Sequence, residues 1–215
     1  MPHDDFAQEP IPGLPEDLPD GEAILWQGRP NTWALARDAL AIRPVAAWFG
    51  ALAIWRMAVA AEYGGAAEII SAAAWMLLLG GITCGLLLLT AWVQARETVY
   101  TITNKRVAMR IGAALTVTFN LPFRQIESAG VARRRDGTGT LAMQIKPSAR
   151  LNYFICWPHV RPWRMSRTEP ALRSIPNIDD VARIFAEAAE TRIAEPELER
   201  TSQPASAPAA TVPAE

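Results

Sequence analysis

The sequence predicts an α+β membrane protein, in which a two-helix transmembrane hairpin is followed by an antiparallel β-sheet domain closed by a C-terminal helix. Three observations predict this class: two apolar stretches between residues 44 and 93, closely spaced strand-like segments after them, and an amphipathic pattern in residues 177–193. The 215-residue chain accordingly divides into an N-terminal segment (1–43), the hairpin (44–93), the sheet domain (94–192) and a tail (193–215).

Two stretches are long enough to span a bilayer. Residues 71–93 form the clearer span, because they are 23 residues without a charge and about 20 apolar residues are enough to cross the hydrocarbon. Residues 44–61 form the weaker span, since Arg56 interrupts them and a charge near a helix centre costs roughly 2.5 to 3.5 kcal/mol on insertion scales. The alternative is a soluble protein with two buried helices, which seldom lack a polar face over such lengths.

The charges around the spans predict the orientation of the hairpin. The connector, residues 62–70, carries Glu62 and Glu68 and no Lys or Arg. The segments outside the spans carry the basic residues, and such residues favour the cytoplasmic side; they are Arg37, Arg43, Arg96, Lys105, Arg106 and Arg110. We therefore expect a multi-pass protein of the cytoplasmic (inner or intracytoplasmic) membrane with both termini in the cytoplasm.

Two features inside the spans have competing interpretations. Gly81 and Gly85 form a GxxxG pattern, whose small residues let helices approach closely. The partner helix is either the first span, where Ala46 and Gly50 repeat the spacing, or another protein, including a second copy of the chain. Arg56 either extends to the membrane surface or pairs with an acid such as Glu62, Glu68 or one of a partner.

The residues after the second span predict an antiparallel meander followed by a helix. Six short segments rich in Val, Ile, Thr and aromatic residues are separated by turn-forming residues; they are 99–104, 106–112, 114–121, 126–132, 140–145 and 151–157. Residues 177–193 follow as an amphipathic helix with Asp179 and Asp180 in its first turn, where the helix dipole favours acids. We expect a curved sheet closed by this helix and joined to the hairpin by a short linker, residues 94–97.

The two ends of the chain have the composition of unstructured segments. Residues 193–215 are rich in Pro, Ala, Glu and Ser and have almost no aromatic or branched apolar residues, so they cannot bury enough surface to offset the entropy of ordering. The first twenty residues, with five Pro and six acids, are expected to lack regular structure too.

The residues that could carry chemistry are few. The chain has two His, His3 and His159, and two Cys, Cys84 and Cys156, in no metal-ligand spacing and in no recognisable nucleophile motif. Neither span holds a histidine that could bind a pigment. The sequence therefore predicts no enzyme, no metal site and no cofactor, and a catalytic alternative would depend on His159 or Cys156.

Several motifs resemble a known family. Residues 100–112 (YTITNKRVAMRIG), 121–130 (LPFRQIESAG) and 136–139 (DGTG), followed by a closing helix, look like the bacterial pleckstrin-homology-like (PH-like) domain found below membrane hairpins. Residues 12–22 (PGLPEDLPDGE) and 157–176 (WPHVRPWRMSRTEPALRSIP) narrow the resemblance to the photosynthetic complex assembly proteins of purple bacteria, encoded beside the reaction-centre H subunit. The resemblance covers residues 12–192.

This resemblance implies a non-catalytic assembly factor whose partners are the subunits of the reaction centre and the core antenna. Interleaved Trp and Arg side chains are typical of interface hot spots, although they also stack on one another within a chain. The partner-binding residues that we expect are Trp157, His159, Arg161, Trp163, Arg164 and Arg167.

The basic block suggests a second partner. Residues 94–173 carry fourteen Lys and Arg against four acids, and basic residues near a membrane attract anionic lipid at about 1 kcal/mol per charge. The lipid-facing residues that we expect are Lys105, Arg106, Arg110, Arg133, Arg134 and Arg135. The rival function is thus a generic PH-like protein that binds lipid or senses the envelope; nucleic acid is not expected, because no RNA- or DNA-binding module is present.

Overall fold

The computed structural model describes residues 11–112, 116–147 and 151–194. The tail predicted to be unstructured lies almost wholly outside these residues, as do the first ten. The helices are α1 (Thr32–Asp38), α2 (Ile42–Tyr63), α3 (Ala66–Glu97), α4 (Tyr153–Cys156) and α5 (Ile178–Ala194). The strands are β1 (Ile24–Gly28), β2 (Val99–Thr103), β3 (Arg106–Ile111), β4 (Val117–Pro122), β5 (Ile126–Arg133), β6 (Gly139–Ile145) and β7 (Ala171–Ile175).

Helices α2 and α3 are the two predicted apolar spans. They have 22 and 32 residues, and an 18-residue apolar window of each has a mean hydropathy of 1.4 and 2.1 respectively, which is long and apolar enough to cross a membrane. Only 6% of the apolar window of each is buried, whereas the core helices of a soluble protein would be covered. The alternative of a soluble protein with two buried helices is therefore not supported, and the two helices indicate association with a membrane.

The connection between the two helices of the hairpin and the connection from the hairpin to the sheet are both shorter than predicted. Only Gly64 and Gly65 separate the two helices. The Glu68 carboxylate accepts the Gly65 N–H at 2.9 Å and caps α3, so this helix begins at Ala66, before the predicted start of the span at residue 71. The expected linker 94–97 does not exist as a separate segment, since its residues continue α3 to Glu97 and β2 begins at Val99. The membrane helix thus passes directly into the sheet, with a single residue between them.

The two long helices pack through Gly80 rather than through the GxxxG pair. A Cβ at Gly80 would lie 2.8 Å from the Phe49 Cβ, whereas Gly81, Gly85 and Gly50 have nothing within 4 Å of a built Cβ. Of the two alternatives for Gly81 and Gly85, packing against the first span is therefore not seen, and pairing with another protein stays a prediction. Gly80 faces α2, and the next residue is turned away from it by about 100° around the helix.

The described strands form two antiparallel sheets rather than one curved sheet. The first has the order β1-β2-β3-β4 and the second has the order β5-β6-β7. Two strands, β1 and β7, lie outside the segments that we predicted as strands. One predicted strand, 151–157, is wrong: the Asn152 side chain accepts the Phe154 N–H at 2.9 Å and starts the short helix α4 there.

The hydrophobic core lies between the two sheets and α5. Alternate residues of β6 face it, including Leu141 and Met143, and the rings of Phe123 and Phe185 meet edge to face with centroids 5.4 Å apart. The predicted C-terminal helix and its acidic first turn are confirmed in α5. Its Ile178 lies so close to Gly139 that a Cβ at Gly139 would be 2.6 Å from it.

Helix α1 joins the sheet domain to the membrane hairpin. Its Ala34, Leu35 and Ala36 are buried, and the helix contacts both α3 and β7. Asn31 begins it by accepting the Ala34 N–H at 3.0 Å, and the Asn31 N–H donates to the Ser174 carbonyl of β7 at 2.8 Å. Because α2 starts four residues after α1 ends, the domain is fixed directly at the foot of the hairpin.

Candidate docking site

The segment formed by α4 and the loop after it exposes several large apolar side chains. We call residues 154–167 the aromatic loop. Trp163 is 89% exposed and Phe154 is 78% exposed, and Ile155, Trp157 and Met165 are exposed as well. Five large apolar side chains within twelve residues, outside the membrane-spanning helices, form a patch of the kind that marks an interaction surface.

Trp163 is held in a sparsely populated backbone conformation. Its φ is +64°, in the left-handed region that bulky side chains rarely adopt. A residue in this region costs on the order of 1–3 kcal/mol and persists only where its surroundings impose it, and such positions concentrate at functional sites. The loop therefore presents the indole ring to solvent at an energetic cost.

The three arginines of the aromatic loop make ion pairs within the chain. Arg161 and Arg164 both bind the buried carboxylate of Glu169, at 3.1 and 3.0 Å. Arg167 binds Glu127 of β5 at 2.6 Å. They thus brace the loop against the second sheet, and about half of each side chain remains exposed, so they can still contribute donors to a partner.

His159 cannot contact a partner directly, so its assignment to the partner-binding set is wrong. It is 1% exposed, because the loop turns inward there and forms backbone hydrogen bonds: the His159 N–H donates to the Cys156 carbonyl at 2.7 Å, and the His159 carbonyl accepts the Ala171 N–H at 2.9 Å. The sequence signal was misleading, since a histidine between two tryptophans looks the same whether it faces solvent or the core.

The His159 ring instead lies in a buried polar network with β2. Its Nδ1 is 2.5 Å from the Tyr100 hydroxyl and its Nε2 is 3.3 Å from the Thr98 hydroxyl. The Tyr100 oxygen also accepts the Arg173 N–H at 3.2 Å, so its proton is available for Nδ1. Burial and the nearby Arg173 lower the pKa of His159 from 6.5 to about 3. The ring is therefore neutral at physiological pH.

Arg173 is a central residue of this network that the sequence analysis missed. Its two terminal nitrogens donate to the Pro158 carbonyl at 3.1 Å and to the Asp38 carbonyl at 2.6 Å. It thereby links the aromatic loop, β7 and the end of α1. The available signal was an arginine in the apolar segment 171–175, which we did not predict to be a strand.

The predicted lipid-facing residues fall into two separate groups. Lys105 and Arg106 lie at the β2–β3 turn, roughly 15–20 Å along β2 from the end of α3. Lys105 donates to the Asp20 carbonyl at 2.9 Å, and Arg106 pairs with the buried Glu22 carboxylate at 2.8 Å. Arg106 is therefore part of an internal ion pair rather than an open surface charge. Arg110, on β3, is half-buried.

The second basic group lies beside the membrane hairpin. Arg133, Arg134 and Arg135 are exposed at the β5–β6 turn. Arg134 pairs with Asp38 at 3.2 Å, and Asp136 of the same turn accepts a hydrogen bond from Arg37 at 2.5 Å. Since α2 begins four residues after Asp38, this turn lies at the foot of the hairpin, whereas the Lys105 turn is at the other end of β2.

The cysteine that would serve a catalytic alternative is inaccessible. Cys156 is 1% exposed, and burial raises the pKa of its thiol to about 11, so the reactive thiolate is scarce at neutral pH. Among the described residues, no three His, Cys, Asp or Glu side chains come together as a metal site.

Comparison with a protein-family model agrees with the fold. The family model described as "Bacterial PH domain" matches residues 39–189. A 23.7 kDa protein of Rhodobacter capsulatus, described by its position in the puhA 5′ region, is 47% identical over 196 residues, which is 90% of this chain and 92% of the relative. A crystal structure of a pleckstrin-homology-domain protein from Shewanella loihica aligns with 45% of this chain and 74% of its own, at 14% identity and a TM-score of 0.29.

Proposed function

This chain belongs to the bacterial PH domain family, and we propose that it is a non-catalytic membrane assembly factor for the photosynthetic reaction centre and its core antenna. In this proposal the hairpin holds the PH-like domain at the cytoplasmic face of the inner or intracytoplasmic membrane, with both termini in the cytoplasm. Newly inserted subunits of the two complexes then dock on the aromatic loop. The observation that carries the proposal is the exposure of Trp163, at 89%, on a braced loop.

The construction of the loop supports docking on a partner. Trp and Arg are the residue types that contribute most to interface hot spots, and here Trp163 is exposed beside Arg164, which is held by Glu169. A loop that is already ordered loses less conformational entropy when it binds than a flexible one. The aromatic loop thus has the two properties of a preformed docking surface, apolar area and restricted motion.

The direct joint between helix and sheet supports action at the membrane surface. With one residue between α3 and β2, and with α1 packed between α3 and β7, the domain has no flexible tether. Its reach is limited to subunits that are inserted next to the hairpin. The link to photosynthesis comes from the family resemblance and from the relative described as lying in the puhA 5′ region.

A second function is favoured by the exposed basic turn beside the hairpin. Arg133, Arg134 and Arg135 are placed to meet the headgroups of anionic lipids, with each charge near the surface contributing about 1 kcal/mol. In this alternative the chain is a generic membrane-anchored PH-like protein that binds lipid or senses the state of the envelope. It differs from the first proposal in requiring no photosynthetic partner.

The experiment that separates these functions is the near-infrared absorption spectrum of membranes from a strain lacking this chain, recorded under phototrophic induction beside its parent. We expect the reaction-centre and core-antenna bands to fall selectively while their transcripts stay at parental levels. An unchanged spectrum would remove the assembly function and favour the lipid-binding alternative. Re-expression of the wild-type chain is the control for the deletion itself.

Self-association of the chain is a separate proposal with its own test. Gly81 and Gly85 face away from α2, so Gly81→Leu with Gly85→Leu should abolish crosslinking between two differently tagged copies and leave the hairpin intact. Gly80→Leu is the matched control, because it should disturb the contact with Phe49 instead. Unchanged crosslinking of the double variant would exclude pairing through this face.

A further inference from the structure

A groove of 360 Å³ lies on one face of the β5–β6 hairpin, within the usual size range of ligand sites. Gly130 pairs with Ala142 and Ala132 pairs with Thr140 across the two strands, so these four small residues share one face of the sheet. Leu141 and Met143 point to the opposite face and fill the core. The groove exists because small side chains leave this face of the sheet uncovered.

The charged side chains that line the groove are all arginines. Its lining among the described residues includes Arg134, Arg161 and Arg173 and no acidic side chain. Arg134 and Arg161 each use one terminal nitrogen for an ion pair, with Asp38 and Glu169 respectively. A guanidinium has five N–H donors, so both retain donors for a ligand.

Arg173 supplies the second observation that points to a ligand. It is 7% exposed, its described hydrogen-bond acceptors are two backbone carbonyls rather than a carboxylate, and its Nε has no partner among the described residues. The Asp38 carboxylate attracts the Arg173 charge but also pairs with Arg37 and Arg134. Because three guanidinium groups share this carboxylate, the positive charge at the groove is only partly balanced by the side chains around it, and a buried cation that is incompletely paired is costly.

We propose that this groove binds a phosphate-type oxyanion, held by Arg134, Arg161 and Arg173. Planar guanidinium groups bind phosphate oxygens through paired, charge-assisted hydrogen bonds, and Thr140 adds a hydroxyl to the lining. This inference goes beyond the proposed assembly function and does not depend on it. Arg161 of the aromatic loop also lines the groove, but binding of an oxyanion there requires no photosynthetic partner.

The position of the groove gives its ligand two sources. Arg134 and Arg173 both contact Asp38, four residues before the first membrane helix, so the groove opens near the level of lipid headgroups. One source is the phosphodiester of an anionic lipid, and the other is a soluble phosphate. Both sources offer the same phosphate oxygens, so the experiment must distinguish the lipid from the soluble phosphate.

The test uses the full-length chain in nanodiscs. In phosphatidylcholine nanodiscs, inorganic phosphate is titrated by calorimetry; in nanodiscs that also contain phosphatidylglycerol, retained phosphatidylglycerol is counted by native mass spectrometry. Arg161→Gln removes one donor group, and Ala132→Phe fills the exposed groove without changing any charge. Arg183→Gln is the matched control, since it removes an exposed arginine of α5 that does not line the groove.

We expect both groove variants to weaken binding by at least about tenfold, as the loss of a charged hydrogen bond typically does, and Arg183→Gln to bind as the wild type does. If the groove variants lose binding of phosphatidylglycerol alone, the ligand is a lipid headgroup. If they lose binding of inorganic phosphate, the ligand is a soluble phosphate. Either result supports the groove. Equal losses in Arg183→Gln and Arg161→Gln, full binding by Ala132→Phe, or no binding of either probe to the wild-type chain would overturn it.

Discussion

Replacing Trp163 and Arg164 together with alanine is expected to leave the protein in the membrane while weakening its capture of reaction-centre subunits by roughly 30-fold or more. This magnitude follows because truncating a hot-spot side chain costs 2 kcal/mol or more. Trp163 is 89% exposed, so its ring contributes little to the stability of the free protein. Alanine keeps the Cβ and hence the same backbone strain at φ +64°, and the variant therefore isolates the loss of the ring.

Arg164 is chosen as the second position because its removal does not leave a buried charge unpaired. Glu169 also binds Arg161, at 3.1 Å, so the carboxylate keeps one partner in the double variant. The matched control is Leu25→Ala with Arg183→Ala, which removes one exposed apolar side chain and one exposed arginine outside the aromatic loop.

The measurement is co-purification of reaction-centre subunits with the tagged full-length chain from membranes during phototrophic induction. The control double variant should capture them as the wild-type chain does. Wild-type capture by the Trp163 and Arg164 variant would contradict docking on this loop. Loss of the chain itself from the membrane would show that the two residues act in folding instead.

The stability of the sheet domain is expected to fall steeply as the pH is lowered from 6.5 towards 3, and His159 is the reason. The folded-state pKa of His159 is about 3, against 6.5 for an ordinary histidine. Between these values the unfolded chain binds a proton that the folded chain excludes. The stabilisation is complete above pH 6.5 and is lost at up to about 1.4 kcal/mol per pH unit below it.

The hydrogen bonds around the ring explain why a proton is excluded. The Tyr100 oxygen already accepts the Arg173 N–H, so its own proton points towards Nδ1, where a protonated ring would place a second proton. The nearby Arg173 guanidinium adds electrostatic repulsion. Protonation of His159 would therefore break the link between β2, the aromatic loop and β7.

The measurement compares the free energy of unfolding of the wild-type chain and His159→Gln in detergent, followed by near-ultraviolet circular dichroism across this pH range. Glutamine does not titrate, so the free energy of unfolding of His159→Gln should depend less steeply on pH than that of the wild type. The carboxylates contribute equally to both chains. His3→Gln, which removes the other histidine, should keep the wild-type slope. Parallel slopes for His159→Gln and the wild type would disprove this role of the ring.

Much of the fold could be predicted because its signals are local. The apolar stretches that became α2 and α3, the strands β2 to β6 and the amphipathic helix α5 each follow from residues within one element. Strands β1 and β7 could not be identified in this way. β1 is an edge strand that pairs with β2 more than seventy residues away in the chain, and β7 follows an irregular loop.

The candidate sites were less predictable than the fold, since they depend on which side of an element faces the core. The segment 157–167 was predicted to be a docking surface, yet His159 is buried and Trp163 is almost fully exposed. The basic residues were recognised as a set, but Arg106 is paired internally with Glu22 whereas Arg134 lies beside the hairpin.

The sequence by itself determined the membrane hairpin, the antiparallel class of the domain and its closing helix, because the period and length of apolar runs are properties of a continuous segment. Only the tertiary structure decided that Gly80 rather than Gly81 meets the neighbouring helix, and that Arg134, Arg161 and Arg173 surround one groove. Contacts of this kind join residues that are far apart in the chain. They are set by the rotation of each helix and the register of each strand, which no local pattern specifies.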